Sequence, residues 1–199
     1  MEKREVKPFI DSGVKDTIYK ISFVTGYSVK SICEDLCKHA FKSGLGCELS
    51  QYFKRGITID GITFQLNKKA GKFEPVSKNI ERISMTLNNN LYEYAYHLSY
   101  AMDCSVAKVV AYAVERSIND FNFLNRYINQ FISKNVSKEH KDLILKIVKT
   151  VNKESSEEYN IASLLLYIAD EYRRFSEGLE GVLKDTVGSE KWSRHLIIK

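Results

Sequence analysis

The apolar pattern of residues 3–41 recurs in residues 80–118, without a gap, at an offset of 77 residues. Matching apolar positions are Val6 and Ile83, Ile10 and Leu87, Val14 and Leu91, Ile18 and Ala95, and Ile32 and Val109. A gapless repeat indicates two copies of one supersecondary unit, and no other feature restricts the fold of this chain so strongly. The alternative is that two unrelated pairs of amphipathic helices match by chance.

Each copy has the pattern of a strand followed by two helices. Residues 83–87 alternate between apolar and polar side chains, which is the period of a half-buried strand. Asn88 then offers an N-cap for a first helix, and Ser105, after a short break, offers one for a second. The sequence therefore predicts a strand–helix–helix unit over residues 80–119 and a more divergent copy over residues 1–44.

A basic insert, residues 45–79, separates the two copies. Two alternating runs within residues 57–66 are joined by Asp60-Gly61, a pair that favours the type I′ turn of a tight β-hairpin. The basic residues that flank these runs are Lys54, Arg55, Lys68 and Lys69. Residues 68–77 contain a glycine and a proline and predict a linker.

Residues 120–199 have a helical pattern and predict a separate helical module. Ser137 is expected to cap its second helix, and Ser155 with Glu158 has the spacing of a capping box for the third. Large apolar residues exceed what three short helices need to cover one another: Phe123, Phe131, Ile147, Leu165 and Phe175. We therefore expect the module to join two chains into a homo-oligomer, or to bind a protein partner.

Composition limits the cell compartment and the kind of partner. The net charge is +5, and residues 1–79 carry all of the excess, which favours a polyanionic partner. The sequence contains no run of about 18 apolar residues, so no membrane span is predicted. The N-terminal residues also lack the apolar segment of a secretory signal. Four cysteines are too few for a disulfide scaffold, so we expect a cytoplasmic protein.

Catalytic motifs are missing from the sequence. It contains no Gly-rich phosphate loop, HExxH, GxSxG or paired CxxC. Cys33, Cys37, His39 and Cys47 could be imagined as zinc ligands. The second copy, however, carries Val110 and Val114 at the positions of the first two cysteines. Positions that accept either residue are core positions, because free cysteine behaves as a small buried hydrophobe. We expect no metal, no other cofactor and no enzymatic activity.

The order of elements in residues 80–118 resembles the ribbon-helix-helix (MetJ/Arc-like) DNA-binding superfamily, and residues 3–41 resemble it more distantly. The resemblance implies a mainly α fold with a short β-ribbon: tandem ribbon-helix-helix-like units, the inserted β-hairpin and the C-terminal helical module. It also implies that two units intertwine, so that strands near residues 5–10 and 82–87 pair antiparallel. Pairing within one chain and pairing between two chains are both open.

The resemblance also implies which residues meet DNA. The major groove accepts a two-stranded ribbon, and alternate side chains of each strand would face it. Base-reading residues would be Arg82, Ser84 and Thr86, with Lys7 and Phe9 from the first copy. Residues near phosphates would be Ser28, Lys30, Ser31, Ser105, Val106 and Lys108 at the starts of the second helices, and Lys54, Arg55, Lys68 and Lys69 in the insert. The alternative for the strand residues is a solvated face.

The first copy departs from the superfamily pattern in its strand. Glu5 would face the groove and repel phosphates, and Pro8 would occupy the inward place of Met85 and remove a ladder donor. The expected function is sequence-specific binding of double-stranded DNA, as a transcriptional regulator or a plasmid or phage DNA-maintenance factor such as a partition or relaxosome accessory protein. The alternative is a helical protein–protein interaction module, such as a scaffold, antitoxin or inhibitor, that does not bind DNA.

Overall fold

The computed structural model describes residues 3–74, 79–155 and 158–187, with side chains as far as Ser176. The fold is mainly α-helical with short antiparallel two-stranded sheets, which confirms the predicted mainly α class with a short β-ribbon. The strands are β1 (Lys3–Val6), β2 (Phe9–Asp11), β3 (Ile57–Ile59), β4 (Ile62–Phe64), β5 (Ile80–Arg82) and β6 (Met85–Asn88). The helices are α1 (Ser12–Thr25), α2 (Val29–Lys42), α3 (Leu45–Leu49), α4 (Asn89–Met102), α5 (Val106–Ile118), α6 (Phe121–Asn135), α7 (Lys138–Glu154) and α8 (Ile161–Val187). No helix among these residues is both long enough and apolar enough to cross a membrane.

Two segments far apart in sequence form one antiparallel ribbon, which we call the terminal ribbon: residues 3–11 paired with residues 80–88. β1 pairs with β6 and β2 pairs with β5 in a single continuous register. Across the gap between the two ladders, the Ile83 backbone N–H donates to the Pro8 carbonyl over 3.1 Å. The antiparallel pairing predicted for these strands is confirmed, and it lies within one chain.

The register of the terminal ribbon agrees with the sequence repeat. Val6 lies opposite Met85 and Phe9 lies opposite Arg82, so Lys7 lies opposite Ser84 at the centre. These central residues are also equivalent under the 77-residue offset. A pseudo-two-fold axis therefore passes between them and relates the two halves of the ribbon.

The helices that follow each strand obey the same offset. α1 and α4 have the same length and begin and end at equivalent residues, and α2 and α5 begin at equivalent residues. Asn88 and Ser105 cap α4 and α5 as predicted, by accepting backbone N–H groups from Leu91 and Lys108. Gly26 and Asp103, again equivalent, both end their helices in the left-handed conformation.

The core lies between the inner face of the terminal ribbon and the helices α2 and α5. The inward ribbon residues are Val6, Pro8, Ile10, Ile83, Met85 and Leu87, all buried. From α2 and α5 come Ile32, Cys33, Leu36, Cys37, Val109, Val110, Ala113 and Val114, also buried. Cys33 and Cys37 therefore occupy core positions, as their valine counterparts suggested.

The insert forms the predicted hairpin and one short helix that was not predicted. Asp60 and Gly61 both have positive φ, as a type I′ turn between β3 and β4 requires. α3 and a single 3₁₀ turn precede the hairpin. In the predicted linker, Phe73 is buried with its ring against Tyr52 and Tyr112, so this part is anchored to the protein. Residues 75–77 of that linker lie outside the described residues.

The C-terminal module contains the three predicted helices, and it packs on the first copy of the repeat. On α8, Tyr172 stacks on Phe23 of α1 with ring centroids 5.3 Å apart, and Asp170 forms an ion pair of 2.9 Å with Lys20. The predicted start of the third helix was wrong. α8 begins at Ile161, because Asn160 and Ser163 cap each other reciprocally, each side-chain oxygen accepting the other's backbone N–H.

Candidate nucleic-acid interface

The outward face of the terminal ribbon is polar. Alternation of the two strands places Glu5, Lys7, Phe9, Arg82 and Ser84 in solvent, while Thr86 is half-buried. All five residues predicted to read bases therefore lie on one face, opposite the buried apolar residues. Phe9 is 51% exposed, so its ring is accessible on this polar face.

Glu5 is the centre of a small network on this face. The Ser84 hydroxyl donates to Glu5 Oε1 over 2.8 Å, and Lys7 Nζ lies 3.1 Å from Glu5 Oε2. The hydrogen bonds from Ser84 and Lys7 lower the pKa of the Glu5 carboxyl, and the charge of Lys30 at the start of α2 contributes in the same direction. Glu5 is thus an ionised acceptor at neutral pH, and two of the predicted reading residues are its partners.

Arg82 is held differently. Its guanidinium carbon lies 5.3 Å from the centroid of the Phe9 ring, a cation–π contact between directly opposite residues of the ribbon. Among the described residues, Arg82 forms no ion pair with a carboxylate. The aromatic ring therefore orients the guanidinium while its N–H donors stay available to a ligand.

The other cations at the margins of the ribbon are already paired. Lys3 Nζ lies 3.0 Å from a Glu34 oxygen, and Lys15 Nζ lies 2.6 Å from a Glu81 oxygen. Arg4 lies 3.3 Å from a Glu93 oxygen and over the ring of Tyr92. These contacts tie the ribbon to α1, α2 and α4, so these cations stabilise its position and contribute less net charge to the outward face.

Both second helices begin at exposed serines. Ser28 caps α2 by accepting the Ser31 backbone N–H, and Ser105 caps α5 in the same way through Lys108. Lys30 and Ser31 are exposed, and Val106 and Lys108 are half-buried. The predicted phosphate contacts of the repeat therefore lie at two equivalent helix starts, which favour anions.

The basic residues of the insert fall into two groups. Arg55 donates to the Tyr100 carbonyl and to Asp103, while Lys54 Nζ lies 3.8 Å from Asp103, so this pair closes the C-terminal end of α4. Lys68 and Lys69 are exposed next to the hairpin. The structure thus brings Lys54 and Arg55 to the turn that precedes α5, where a carboxylate partly neutralises them.

The candidate zinc ligands lie in different environments: Cys33 and Cys37 are buried, whereas Cys47 is exposed. Burial raises the pKa of Cys33 to about 12 and that of Cys37 well above the ordinary value, so both are neutral thiols. His39 Nε2 lies 3.0 Å from Asp120, and its ring stacks on Phe123. Within the described part of the chain, no group of three or more His, Cys, Asp or Glu side chains could hold a metal ion.

Sequence reasoning missed two features of this interface. The sequence predicted only that Glu5 departs from the superfamily pattern and repels phosphates, although its carboxylate accepts a hydrogen bond from Ser84 and pairs with Lys7. It also missed the contact between Phe9 and Arg82. Both contacts depend on the register in which Lys7 lies opposite Ser84, and the repeat offset alone leaves that register open.

Comparison of the chain with protein-family models, with curated proteins and with solved structures gave no match.

Proposed function

We propose that the protein binds double-stranded DNA sequence-specifically, by inserting the terminal ribbon into the major groove. In this proposal, the two repeats are tandem ribbon-helix-helix-like units that pair within one chain. The observation that carries the proposal is the terminal ribbon itself, a two-stranded element with an apolar face against α2 and α5 and a polar face in solvent. A ribbon of this width fits the major groove, whose base edges carry the donor and acceptor pattern that specifies sequence.

Each outward residue has a chemical role in this proposal. Arg82 presents a fork of donors suited to guanine O6 and N7, and the hydroxyls of Ser84 and Thr86 bond to either kind of base edge. Phe9 supports the Arg82 guanidinium and can contact a thymine methyl group. Lys7, near the pseudo-two-fold axis, adds positive charge at the centre of the ribbon.

Phosphate contacts would come from the helix starts on either side of the ribbon. The first turns of α2 and α5 supply backbone N–H groups, with Lys30 and Lys108 beside them. Lys68 and Lys69 extend the positive surface along the insert. Such contacts set affinity and register, whereas the ribbon residues set preference.

In the cell we assign the protein to non-enzymatic DNA transactions in a bacterial, plasmid or phage setting, associated with cytoplasmic DNA. The role would be transcriptional regulation or DNA maintenance, such as partition or relaxosome assembly. This assignment rests on the resemblance in residues 80–118 and on the ribbon, and it requires no metal or other cofactor.

The direct test is a binding titration on duplex DNA at several salt concentrations. The affinity of the parent protein should fall steeply with salt, because each phosphate contact releases counterions and contributes about −0.9 to the slope of log K against log salt. Arg82→Ala should relax the preference at one base position by about 1–3 kcal/mol. Thr86→Ala should have a smaller effect at another position. If Lys7 meets phosphate instead of a base, Lys7→Ala should reduce affinity with little change in preference.

A charge-matched control separates ribbon contacts from general electrostatics. Arg174→Ala on α8 removes the same charge as Arg82→Ala, from a side chain that already pairs with Asp170 and Glu171. It should leave base preference unchanged. Binding of cognate and random DNA by Arg82→Ala and Thr86→Ala at the level of the parent would rule out the ribbon as the reader, and the insert lysines would be tested next.

The C-terminal module favours a second role, protein association. Ile168, Tyr172 and Phe175 are exposed and follow one face of α8 at helical spacing, and Tyr172 also stacks on Phe23 of α1. In the favoured form of this proposal, a second copy of the chain covers this stripe and presents two ribbons to repeated DNA sites. In the alternative form, a different protein binds there and the chain acts as an interaction module without DNA.

Sedimentation of full-length variants tests the association. Ile168→Ser and Phe175→Ser should convert an oligomer to a monomer, while Tyr167→Ser, an exposed aromatic outside the stripe, should not. A parent protein that is monomeric at all concentrations would contradict self-association. Removal of the whole module is less informative, because α8 also covers part of α1.

A further inference from the structure

The two halves of the terminal ribbon carry opposite chemistry at equivalent positions. The pseudo-two-fold axis relates Glu5 to Arg82 and Phe9 to Thr86. One half therefore exposes Arg82 with Phe9, and the other carries exposed Glu5 beside half-buried Thr86. The backbone is symmetric, whereas the side chains that would meet bases are not.

The Arg82 half presents only donors. The guanidinium has no acceptor atom, and its carbon lies 5.3 Å from the centroid of the Phe9 ring. In the major groove, the complementary edge is that of guanine, which offers two acceptors, O6 and N7.

The Glu5 half presents an acceptor. Hydrogen bonds from Ser84 and Lys7 lower the pKa of Glu5 and hold the carboxylate in place. These partners, together with the charge of Lys30, also offset its repulsion of phosphates. The complementary base edge is the N4 amino group of cytosine, which is a donor.

The surroundings of the two helix starts differ as well. Lys54 and Arg55 lie at the turn before α5, where both pair with Asp103, and the charges of Lys54 and Lys108 both act on Cys104 in that turn. At the equivalent turn before α2, Tyr27 instead packs edge-on against Phe131 of α6, with ring centroids 5.4 Å apart. The contacts that the two helix starts offer to the DNA phosphates on either side of the ribbon are therefore unequal.

We propose that the terminal ribbon recognises a non-palindromic DNA site, in which the Arg82 half reads guanine and the Glu5 half reads cytosine. This inference rests on the proposed function and goes beyond it by assigning the specificity of each half. An inverted repeat presents the same base edge to equivalent side chains, so the guanine edge that suits Arg82 in one half would face Glu5 in the other. Glu5 is then a specificity residue.

Selection of binding sites from a randomised duplex library tests the proposal with the full chain. The parent should select one motif without inverted-repeat symmetry. Glu5→Gln should exchange the cytosine preference for adenine, because an amide pairs with adenine N6 and N7. Glu5→Arg makes the two halves chemically alike, so its motif should become more symmetric, with guanine preferred at the changed position by about 5- to 150-fold.

Glu81 provides the matched control. It lies on the same ribbon, on the face of the strand opposite to that of Arg82, where it pairs with Lys15. Glu81→Arg changes the charge by the same amount and should raise affinity without changing the motif. Circular dichroism and urea unfolding establish that every variant is folded before its motif is compared.

The outcomes separate the two proposals. A palindromic motif from the parent, or an unchanged motif from both Glu5 variants, overturns the asymmetric readout and leaves DNA binding intact. The same is true if Glu81→Arg changes the motif as much as Glu5→Arg does. Absence of salt-dependent duplex binding by the parent overturns the proposed function itself.

Discussion

Adjacent residues of the terminal ribbon should differ sharply in their contribution to stability. Ile83 is 3% exposed on the inner face, and Ser84 is exposed on the outer face. Ile83→Ala removes about three methylene equivalents, each worth about 0.8 kcal/mol when buried, which gives about 2.5 kcal/mol. The cavity left behind raises the total to about 3–4 kcal/mol. The backbone N–H of residue 83 still reaches the Pro8 carbonyl, so the loss comes from side-chain packing alone.

Ser84→Ala removes one hydroxyl that donates to Glu5 over 2.8 Å in solvent, and should cost less than about 1 kcal/mol. Urea unfolding followed by circular dichroism measures both free energies, and equal m-values would show that neither variant changes the compactness of the folded state. At about 2–4 °C per kcal/mol for a chain of this size, Ile83→Ala should lower the Tm by about 6–16 °C. A difference between the two variants below about 1 kcal/mol would refute the assignment of inner and outer faces.

Three further changes test other parts of the structure. Gly61→Ala should cost about 1–2 kcal/mol in thermal unfolding because residue 61 has φ of +77°, whereas Gly71→Ala should stay within about 0.5 kcal/mol because a Cβ there meets no atom within 4 Å. Asp120→Ala should cost about 1 kcal/mol through loss of the α6 N-cap. The hydrogen bond from the Phe123 backbone N–H, followed by that from His39, lowers the pKa of Asp120. Ionised Asp120 therefore adds to the free energy of unfolding above the ordinary aspartate pKa, and this stabilisation declines as pH falls through the lower folded pKa. Asp120→Ala should lack that decline. Burial and then the hydrogen bond to Glu48 raise the pKa of Tyr112 to about 12, so stability should fall as pH rises from about 10 to 12, and Glu48→Gln should lower that pKa in an absorbance titration.

The repeat and the ribbon could be predicted because their signals are local. Alternation in residues 83–87 indicates a strand, and Asn88 and Ser105 mark helix starts by side-chain chemistry that depends on a few neighbouring residues. The offset then aligned the two copies, and Asp60-Gly61 located the hairpin. These features do not depend on which distant segment they meet.

Other features depend on tertiary contacts and could not be predicted in this way. α3 has five residues, too few for a helical period to be recognised. Ser155 has the residue type and spacing of a cap, but Asn160 and Ser163 form the reciprocal cap that starts α8. The packing of α8 on α1 depends on which exposed faces are complementary, and residue pattern alone does not specify a partner.

The sequence predicted which side chains share the outward face of the ribbon, but it did not predict the contacts between them. Alternation placed Arg82, Ser84 and Thr86 together, because strand side chains point to opposite sides in turn. The hydrogen bond from Ser84 to Glu5 and the cation–π contact of Arg82 with Phe9 join residues more than 70 positions apart. They follow only once the register between the two segments is known.

The pairing of residues 3–11 with residues 80–88 also has a consequence for synthesis of the chain. At about 5–20 residues per second, the first strand is made roughly 4–15 s before its partner. Until then, the buried side chains of the first strand, such as Val6 and Ile10, have no second strand to complete their core. Because the contact is between distant segments, loop closure must precede any gain from it, which slows folding. The first strand of the ribbon therefore stays unpaired during synthesis until residues 80–88 have been made.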